Sequence, residues 1–295
     1  NDLIKYKIQD CYNNNYAGCA DSENTILATG NSPVKTAVYK FNKNTQEFEP
    51  YTLKYPHGGK FSNALAIFED SSHNLWLGTR EDGIQRLDRY SGEVTVYLSP
   101  ASGDGVRHIH SITEYTHQVL LIGSDDGLSM LNTFTGEHKR FMPEETNPFS
   151  LSNQFIYPIL KDKEGGIWVG TYYGGVNYVS PRNGQFEGFV HTKYANSVGG
   201  NIISCFAEDK DGNIWIGSDD GGISCYSPQT GKFKNYMPEE GKNSLSYHNI
   251  HALCFDGDDL WIGTYSGGLN VLDTETGKYR LYVSSEDIHS IDQNS

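Results

Sequence analysis

The residues of this 295-residue chain that could do chemistry fall into four groups. His108 with His110, and His248 with His251, stand close enough in sequence for two imidazoles to share a zinc ion. Asp209-Lys210-Asp211-Gly212-Asn213 opens like a calcium loop. Glu81, Asp125, Asp126, Asp219 and Asp220 supply carboxylates, and a facing pair of these would mark a glycan-cleaving site. Tyr172, Tyr173 and Tyr265, with Arg80, Arg107, His108, Tyr157, Asp219, Asp220 and His248, offer what a sugar needs. They bring apolar ring faces to stack on and hydrogen-bond partners for hydroxyls. The spacing speaks against metal: the histidine pairs lie far apart with no carboxylate fixed beside them. The Asp-rich segment lacks the later Glu of a calcium loop and reads as turn chemistry. No metal ligand set and no cofactor is expected. No Gly-x-Ser-x-Gly, His-Glu-x-x-His or phosphate-binding glycine loop occurs.

The elements that must position these residues are written six times. Gly212-Asn-Ile-Trp-Ile-Gly-Ser-Asp-Asp-Gly-Gly-Ile recurs as Gly166-Ile-Trp-Val-Gly-Thr-Tyr-Tyr-Gly-Gly-Val, Asp259-Leu-Trp-Ile-Gly-Thr-Tyr-Ser-Gly-Gly-Leu and Asn74-Leu-Trp-Leu-Gly-Thr-Arg-Glu-Asp-Gly-Ile. A copy from residue 119 lacks the Trp, and one near residue 25 keeps only the outline. Taking Ala28, Gly78, Gly123, Gly170, Gly217 and Gly263 as register marks gives a period of 45–50 residues. Such a period means stacked or radially arranged units. Within one unit, the runs Ile250–Phe255, Leu260–Thr264, Gly268–Asp273 and Lys278–Val283 are short, alternating and bounded by Gly, Asp and Asn, so they read as strands joined by tight turns. Four antiparallel strands at this period is the blade of a β-propeller, and the fold class is all-β. Trp76, Trp168, Trp215 and Trp261 are expected to fill the space between blades, and Gly78, Gly170, Gly217 and Gly263 to sit where a side chain would collide with the next sheet.

The repeats span about 16–53, 61–98, 107–142, 154–190, 201–237 and 249–283 of one domain, residues 1–295. Residues 3–8 resemble an outer strand and 288–291 a first strand, so two closing strands are expected at the ends. Seven blades with one incomplete is the first expectation, and six with overhanging ends the second. In either case the loops after each second strand share a face with the approaches to the first strands. That face gathers Arg80, Asp219, Asp220, Tyr172, Tyr173 and Tyr265 with Lys60, Phe61, Asn63, Arg107, His108, His110, Gln154, Tyr157, Asn201, Tyr247, His248 and His251. The acidic pairs fall at repeat-equivalent positions, which makes them frame rather than an acid/base pair.

The net charge of −14 argues against a nucleic-acid backbone or an anionic membrane as partner. No run of eighteen apolar residues occurs. The chain shows no leader pattern and starts within a strand pattern, as a piece of a longer or processed protein would. Of five cysteines, Cys205, Cys225 and Cys254 lie in strand patterns and are expected to be buried. Cys11 and Cys19 flank a polar loop where a disulfide is one alternative.

The block Asp-Gly-Asn-Ile-Trp-Ile-Gly-Ser-x-x-Gly-Gly-Ile, with Thr-Gly-Lys-Phe after it, resembles the two-component regulator propeller repeat. The connections Pro238-Glu-Glu-Gly-Lys-Asn-Ser-Leu-Ser and Pro143-Glu-Glu-Thr-Asn-Pro-Phe-Ser-Leu-Ser look like that family too. The resemblance is close in four units, weaker at 107–142 and poor over the first fifty residues. It implies the periplasmic sensor of a Bacteroides-type hybrid two-component system, anchored in the inner membrane and relaying its signal to a histidine kinase elsewhere. It implies an oligosaccharide ligand, a second propeller and an immunoglobulin-like domain in the same sensor, and a homodimer as a further partner. It implies no catalysis in this stretch. A non-catalytic interaction scaffold is the second reading, and a propeller lyase or hydrolase the third.

Overall fold

The computed structural model of the chain describes residues 18–20, 22, 26–29, 38–51, 53–54, 63–182, 184–194 and 196–284. The end segments 3–8 and 288–291, Lys60, Phe61 and the Cys11–Cys19 pairing lie outside the described residues. Among the described residues, apart from a short 3-10 turn at Pro100–Ser102, the regular structure is β. Every strand pairs antiparallel with its neighbour in sequence, because the short connections leave no room for a crossover. Contacts divide the chain into two compact units, one ending at Phe141 and one beginning at Met142.

The unit ending at Phe141 holds three four-stranded sheets. The first is β1 Gly18–Ala20, β2 Ile26–Thr29, β3 Val38–Asn42 and β4 Glu47–Pro50. The second is β5 Ala64–Glu69, β6 Leu75–Thr79, β7 Ile84–Leu87 and β8 Val94–Tyr97. The third is β9 Ile109–Thr116, β10 Val119–Ser124, β11 Gly127–Asn132 and β12 His138–Phe141. The unit from Met142 repeats the plan. Its sheets are β13 Ile156–Lys161, β14 Ile167–Thr171, β15 Val176–Val179 and β16 Phe186–Phe189; then β17 Ile203–Glu208, β18 Ile214–Ser218, β19 Gly222–Ser227 and β20 Lys232–Tyr236; then β21 Ile250–Asp256, β22 Asp259–Thr264, β23 Leu269–Asp273 and β24 Tyr279–Tyr282. These are the four-stranded blades of an all-β propeller fold.

In the second, fourth and fifth blades the second strand is the most buried one, with both faces covered: Leu75–Thr79, Ile167–Thr171 and Ile214–Ser218 are buried at every residue. Apolar side chains from adjacent sheets fill the space between them. Trp168 packs with Val176, Ile203, Ile214 and Ile216, and Trp215 with Ile223, Ile250, Leu260 and Ile262. Trp76 does the same against Ile109, Ile112 and Leu120. In each of these the indole N–H donates to an Asp six residues earlier: Trp76 to Asp70 at 2.7 Å, Trp168 to Asp162 at 2.8 Å and Trp215 to Asp209 at 2.9 Å. The same carboxylates accept backbone N–H groups of the intervening hairpin, so the turn and the core tryptophan are held by one side chain.

Two expectations need correction at the sixth blade. Trp261 is only half-buried, and Cys254, paired opposite it, is exposed. The equivalent positions Phe68, Leu160 and Ala207 pack against the sheet that follows them. Within its own unit the sixth sheet has no described successor. Its first hairpin is also shorter, which places Phe255 rather than Asp at the position six before Trp261. Cys205 and Cys225 are half-buried rather than fully enclosed.

Candidate ligand-binding site

The glycine that marks the repeat lies opposite a β-bulge. In five blades the pairing of the first and second strands slips by one residue at the start of the first strand. The extra residue is Leu65, His110, Tyr157, Ser204 or His251, and the residue across from it is Gly78, Gly123, Gly170, Gly217 or Gly263. A bulge re-aims its side chain. A Cβ on Gly78 would stand 2.5 Å from Ile109 Cγ2 of the next sheet, one on Gly170 2.6 Å from Ile203 Cγ2 and one on Gly217 2.8 Å from Ile250 Cγ2, as expected; Gly263 departs from the expectation, since a Cβ there meets only Ala252 of its own blade, at 3.5 Å. The bulge turns His110, Tyr157 and His251 toward the loop after the second strand, where each meets a residue that the sequence singled out.

That loop is fixed at both sides. In the unit from Met142, Tyr172 N–H donates to Phe155 O (3.1 Å), Asp219 N–H to Ile202 O (2.9 Å) and Tyr265 N–H to Asn249 O (3.1 Å). Gly175 N–H and Gly222 N–H donate onward to Asn201 O and His248 O, in the approach to the next sheet. The hydroxyls of Thr171, Ser218 and Thr264 close each loop on the carbonyls of Gly175, Gly222 and Gly268. Gly222 holds φ +67°, and a Cβ there would meet Tyr236 O at 2.4 Å. The side chains at the loop tips are therefore presented by a rigid frame.

Three tyrosines gather on it. Tyr157 stacks on Tyr172 (centroids 5.2 Å, 29° between planes), and Tyr173 meets Tyr172 edge-on at 4.5 Å. Tyr173 is 61% exposed. Tyr265, also exposed, lies 5.5 Å from His251, and Tyr247 4.7 Å from His248. Asp219 links the two groups electrostatically. Its charge falls on Tyr172, whose phenol is pushed up first by Tyr173, then by burial and by Asp219. The Asp219 carboxyl is itself pushed up by burial and by Asp220, against the opposing pull of His251. Asp219 Oδ1 is buried without a hydrogen-bond partner, as is Asn249 Oδ1 at the approach to β21. Asp220 is engaged otherwise: its two oxygens accept the backbone N–H groups of Asn201 and Ile202, both at 3.1 Å. His248 is exposed.

Arg80, Arg107 and His108 belong to the unit ending at Phe141. Asp125 accepts from both His108 (Nδ1, 2.5 Å) and His110 (Nε2, 2.8 Å), and burial pushes the His110 imidazole down despite that carboxylate. Asp126 caps Arg107 N–H at 2.9 Å, as Asp220 caps its own blade. Arg80 reaches Glu81 at 4.0 Å. Among the described residues no group of three or more His, Cys, Asp and Glu is arranged to hold a metal ion.

Sequence reasoning passed over a second feature of the unit from Met142. A cleft of about 250 Å³ opens at the opposite end of the strands, among the hairpins, lined by Glu164, Tyr178, Glu187, Phe189, Glu208 and Tyr226 among others. Tyr178 is pushed up by burial and by the nearby Asp162 and Glu164, while Glu208 is taken up by Lys163. The hairpin residues involved carry no periodic signal that would have marked them.

The chain is similar in structure to the extracellular domain of a putative hybrid two component system from B. thetaiotaomicron, with 19% identity and a TM-score of 0.78 over 100% of this chain and 38% of that one. It is also similar to PorZ, a surface component of the type-IX secretion system of Porphyromonas gingivalis (16% identity, TM-score 0.67, 90% of this chain and 39% of that one). A computationally designed protein, Ika8, shares the fold at 16% identity and a TM-score of 0.59, over 98% of this chain and 79% of that one. The chain thus spans well under half the length of the two component system and PorZ chains to which it is similar. No curated protein matches it. Among the described residues no helix is long and apolar enough to cross a membrane. The family profile of the two component regulator propeller matches residues 150–173, 197–220 and 244–266, the blade approaches, second strands and following loops described above. Three segments of this chain thus match the two component regulator propeller repeat, and each forms part of a blade of an all-β propeller fold.

Proposed function

We propose that the chain, residues 1–295, is one ligand-sensing propeller domain of a hybrid two-component regulator, held in the periplasm by an inner-membrane protein. It binds an oligosaccharide without altering it, and the signal passes to a kinase outside these residues. A second propeller and an immunoglobulin-like domain of the same sensor, and a second copy of the chain, are its expected partners. The observation that carries the ligand reading is the Tyr157–Tyr172–Tyr173 group beside Asp219 on a hydrogen-bonded loop frame. Exposed rings present apolar faces to a pyranose, and the surrounding polar groups match its hydroxyls. Asp126 and Asp220 support the non-catalytic reading, since their carboxylates are committed to backbone N–H groups rather than aimed as an acid/base pair. A bound ligand shifts domain or subunit arrangement only through its different affinity for the two arrangements.

The test is a thermal-shift screen of plant and host oligosaccharides, because a ligand that binds only the folded state raises Tm by mass action. A hit lost in the double variant Tyr172→Ala/Tyr265→Ala, with the melting curve of the free protein unchanged, supports the reading. A screen without a hit speaks for a scaffold, and turnover of any sugar would speak for an enzyme.

A further inference from the structure

The loops that carry the tyrosines differ from ordinary sugar-binding surfaces in their charge. Segments 152–157, 171–175, 199–203, 218–222, 246–251 and 264–268 contain Asp219 and Asp220 and no Lys or Arg. The basic residues of the neighbouring connections, Lys193 and Lys242, lie outside these segments, and Lys242 is paired with Glu239. The remaining nitrogen-bearing side chains of these segments that could meet a ligand oxygen are Asn153, Gln154, Asn201, His248, Asn249 and His251, and none of them is a Lys or Arg. An anionic sugar seated on these loops would therefore meet the Asp219 carboxylate with no Lys or Arg of the same loops to offset it. The usual solution for a carboxylate or sulfate is a guanidinium fork or an ammonium group, which is absent from these loops.

The unpaired groups point the same way. Asp219 Oδ1 and Asn249 Oδ1 are acceptors, both buried and both without a donor. A buried acceptor left unmade is costly, and a ligand that supplies a donor recovers that cost. A sugar hydroxyl placed against these oxygens can donate to them, whereas a uronate carboxylate or a sulfate placed there cannot and would add charge repulsion at Asp219. Asp219 holds in its loop the position that Tyr172 and Tyr265 hold in theirs, each with its N–H donating to the approach to its own first strand, so a ligand ring that reaches Asp219 lies along the same row of loops.

Resting on the oligosaccharide reading above, we propose that this site selects neutral, hydroxyl-rich sugars over uronic and sulfated ones, with Asp219 accepting a hydrogen bond from a ligand hydroxyl as the specificity-determining contact. The same charge pattern excludes sialylated termini.

The experiment is calorimetric titration of the chain at pH 7 with two sets of oligosaccharides of matched length. One set is neutral (cello-, xylo-, arabino-, galacto- and manno-oligosaccharides). The other is acidic (oligogalacturonides and chondroitin sulfate oligosaccharides). The neutral set is expected to contain the binders, with affinity insensitive to salt. Asp219→Asn is expected to weaken that binding by about tenfold or more, the loss of one charge-assisted hydrogen bond, while leaving the circular dichroism spectrum unchanged. Tighter or equal binding by the acidic set overturns the selectivity and leaves the sensing reading standing. Neutral binding untouched by Asp219→Asn overturns the role of that residue. Silence from both sets overturns the proposal together with the sugar reading. The comparison of the two sets on the wild-type protein stands even where the variant does not fold.

Discussion

Asp209 illustrates what a single side chain does in this fold. Its carboxylate accepts from the Asp211 and Asn213 backbone amides, the Asn213 side chain and the Trp215 indole. Burial opposes the charge, but these hydrogen bonds outweigh it and hold the carboxyl below the usual aspartate value of 3.8. A depressed folded pKa stabilises the protein above that ordinary value, and the contribution is lost as pH falls through the lower folded value. Asp209→Asn is therefore expected to melt lower than the wild type near pH 7, with the gap narrowing as pH falls through the lowered carboxyl value. Denaturant melts across pH check this; a gap independent of pH contradicts it. The tryptophans were legible in the sequence, but of their aspartate partners only Asp209 was singled out, and as a turn former. The six-residue spacing recurs in three repeats and was the missed signal. A second residue-scale prediction concerns thiols. Burial pushes Cys205 and Cys225 up to about 12, whereas Cys254 is exposed. Thiolates are the reactive form, so iodoacetamide at pH 7.5 should label Cys254 well before the other two, read by peptide mass spectrometry. Equal labelling of all three contradicts the burial described.

At the scale of elements, the glycine opposite the bulge ties the repeat to the site. Alternation and turn residues were enough to place the strands, since period-two patterning survives in every clear unit. The bulge was not legible. It is a property of pairing between two strands, and no residue type announces it: the extra residue is Leu65, His110, Tyr157, Ser204 or His251. Neighbouring blades are also clasped at their hairpin ends. Ser22 bonds Glu69, Ser71 bonds Glu114 and Lys163 bonds Glu208, each joining one blade's first hairpin to the end of the next blade's first strand. The tryptophans fix the interiors between these clasps, and their burial grades the cost of losing them. Trp215→Ala is expected to cost about 3–5 kcal/mol, as a buried large-to-small change does, and Trp261→Ala clearly less because its ring is half-exposed and no aspartate stands six residues before it. Equilibrium urea melts compare the two. Equal losses would mean that the sixth blade is packed as tightly as the fifth.

For the whole molecule, the fold class was readable from repetition alone, because radial repeats reuse one solution for every blade. The candidate site was readable only as a set of variable loop positions. What the sequence could not supply was adjacency: that Tyr157 stacks on Tyr172, that Tyr265 meets His251, and that Asp220 is committed to the backbone. Those facts depend on the bulges and on hydrogen bonds between blades. They turn a scatter of polar residues into one aromatic and acidic surface in the unit from Met142, distinct from the histidine–aspartate cluster of the unit ending at Phe141. The most direct test of that assignment is amide hydrogen exchange of the chain, with and without the oligosaccharide that titrates best. The account predicts slowed exchange at 171–175, 218–222 and 264–268, where the loop amides hold the frame. Unchanged exchange in those three loops, with protection confined to other segments, would contradict it.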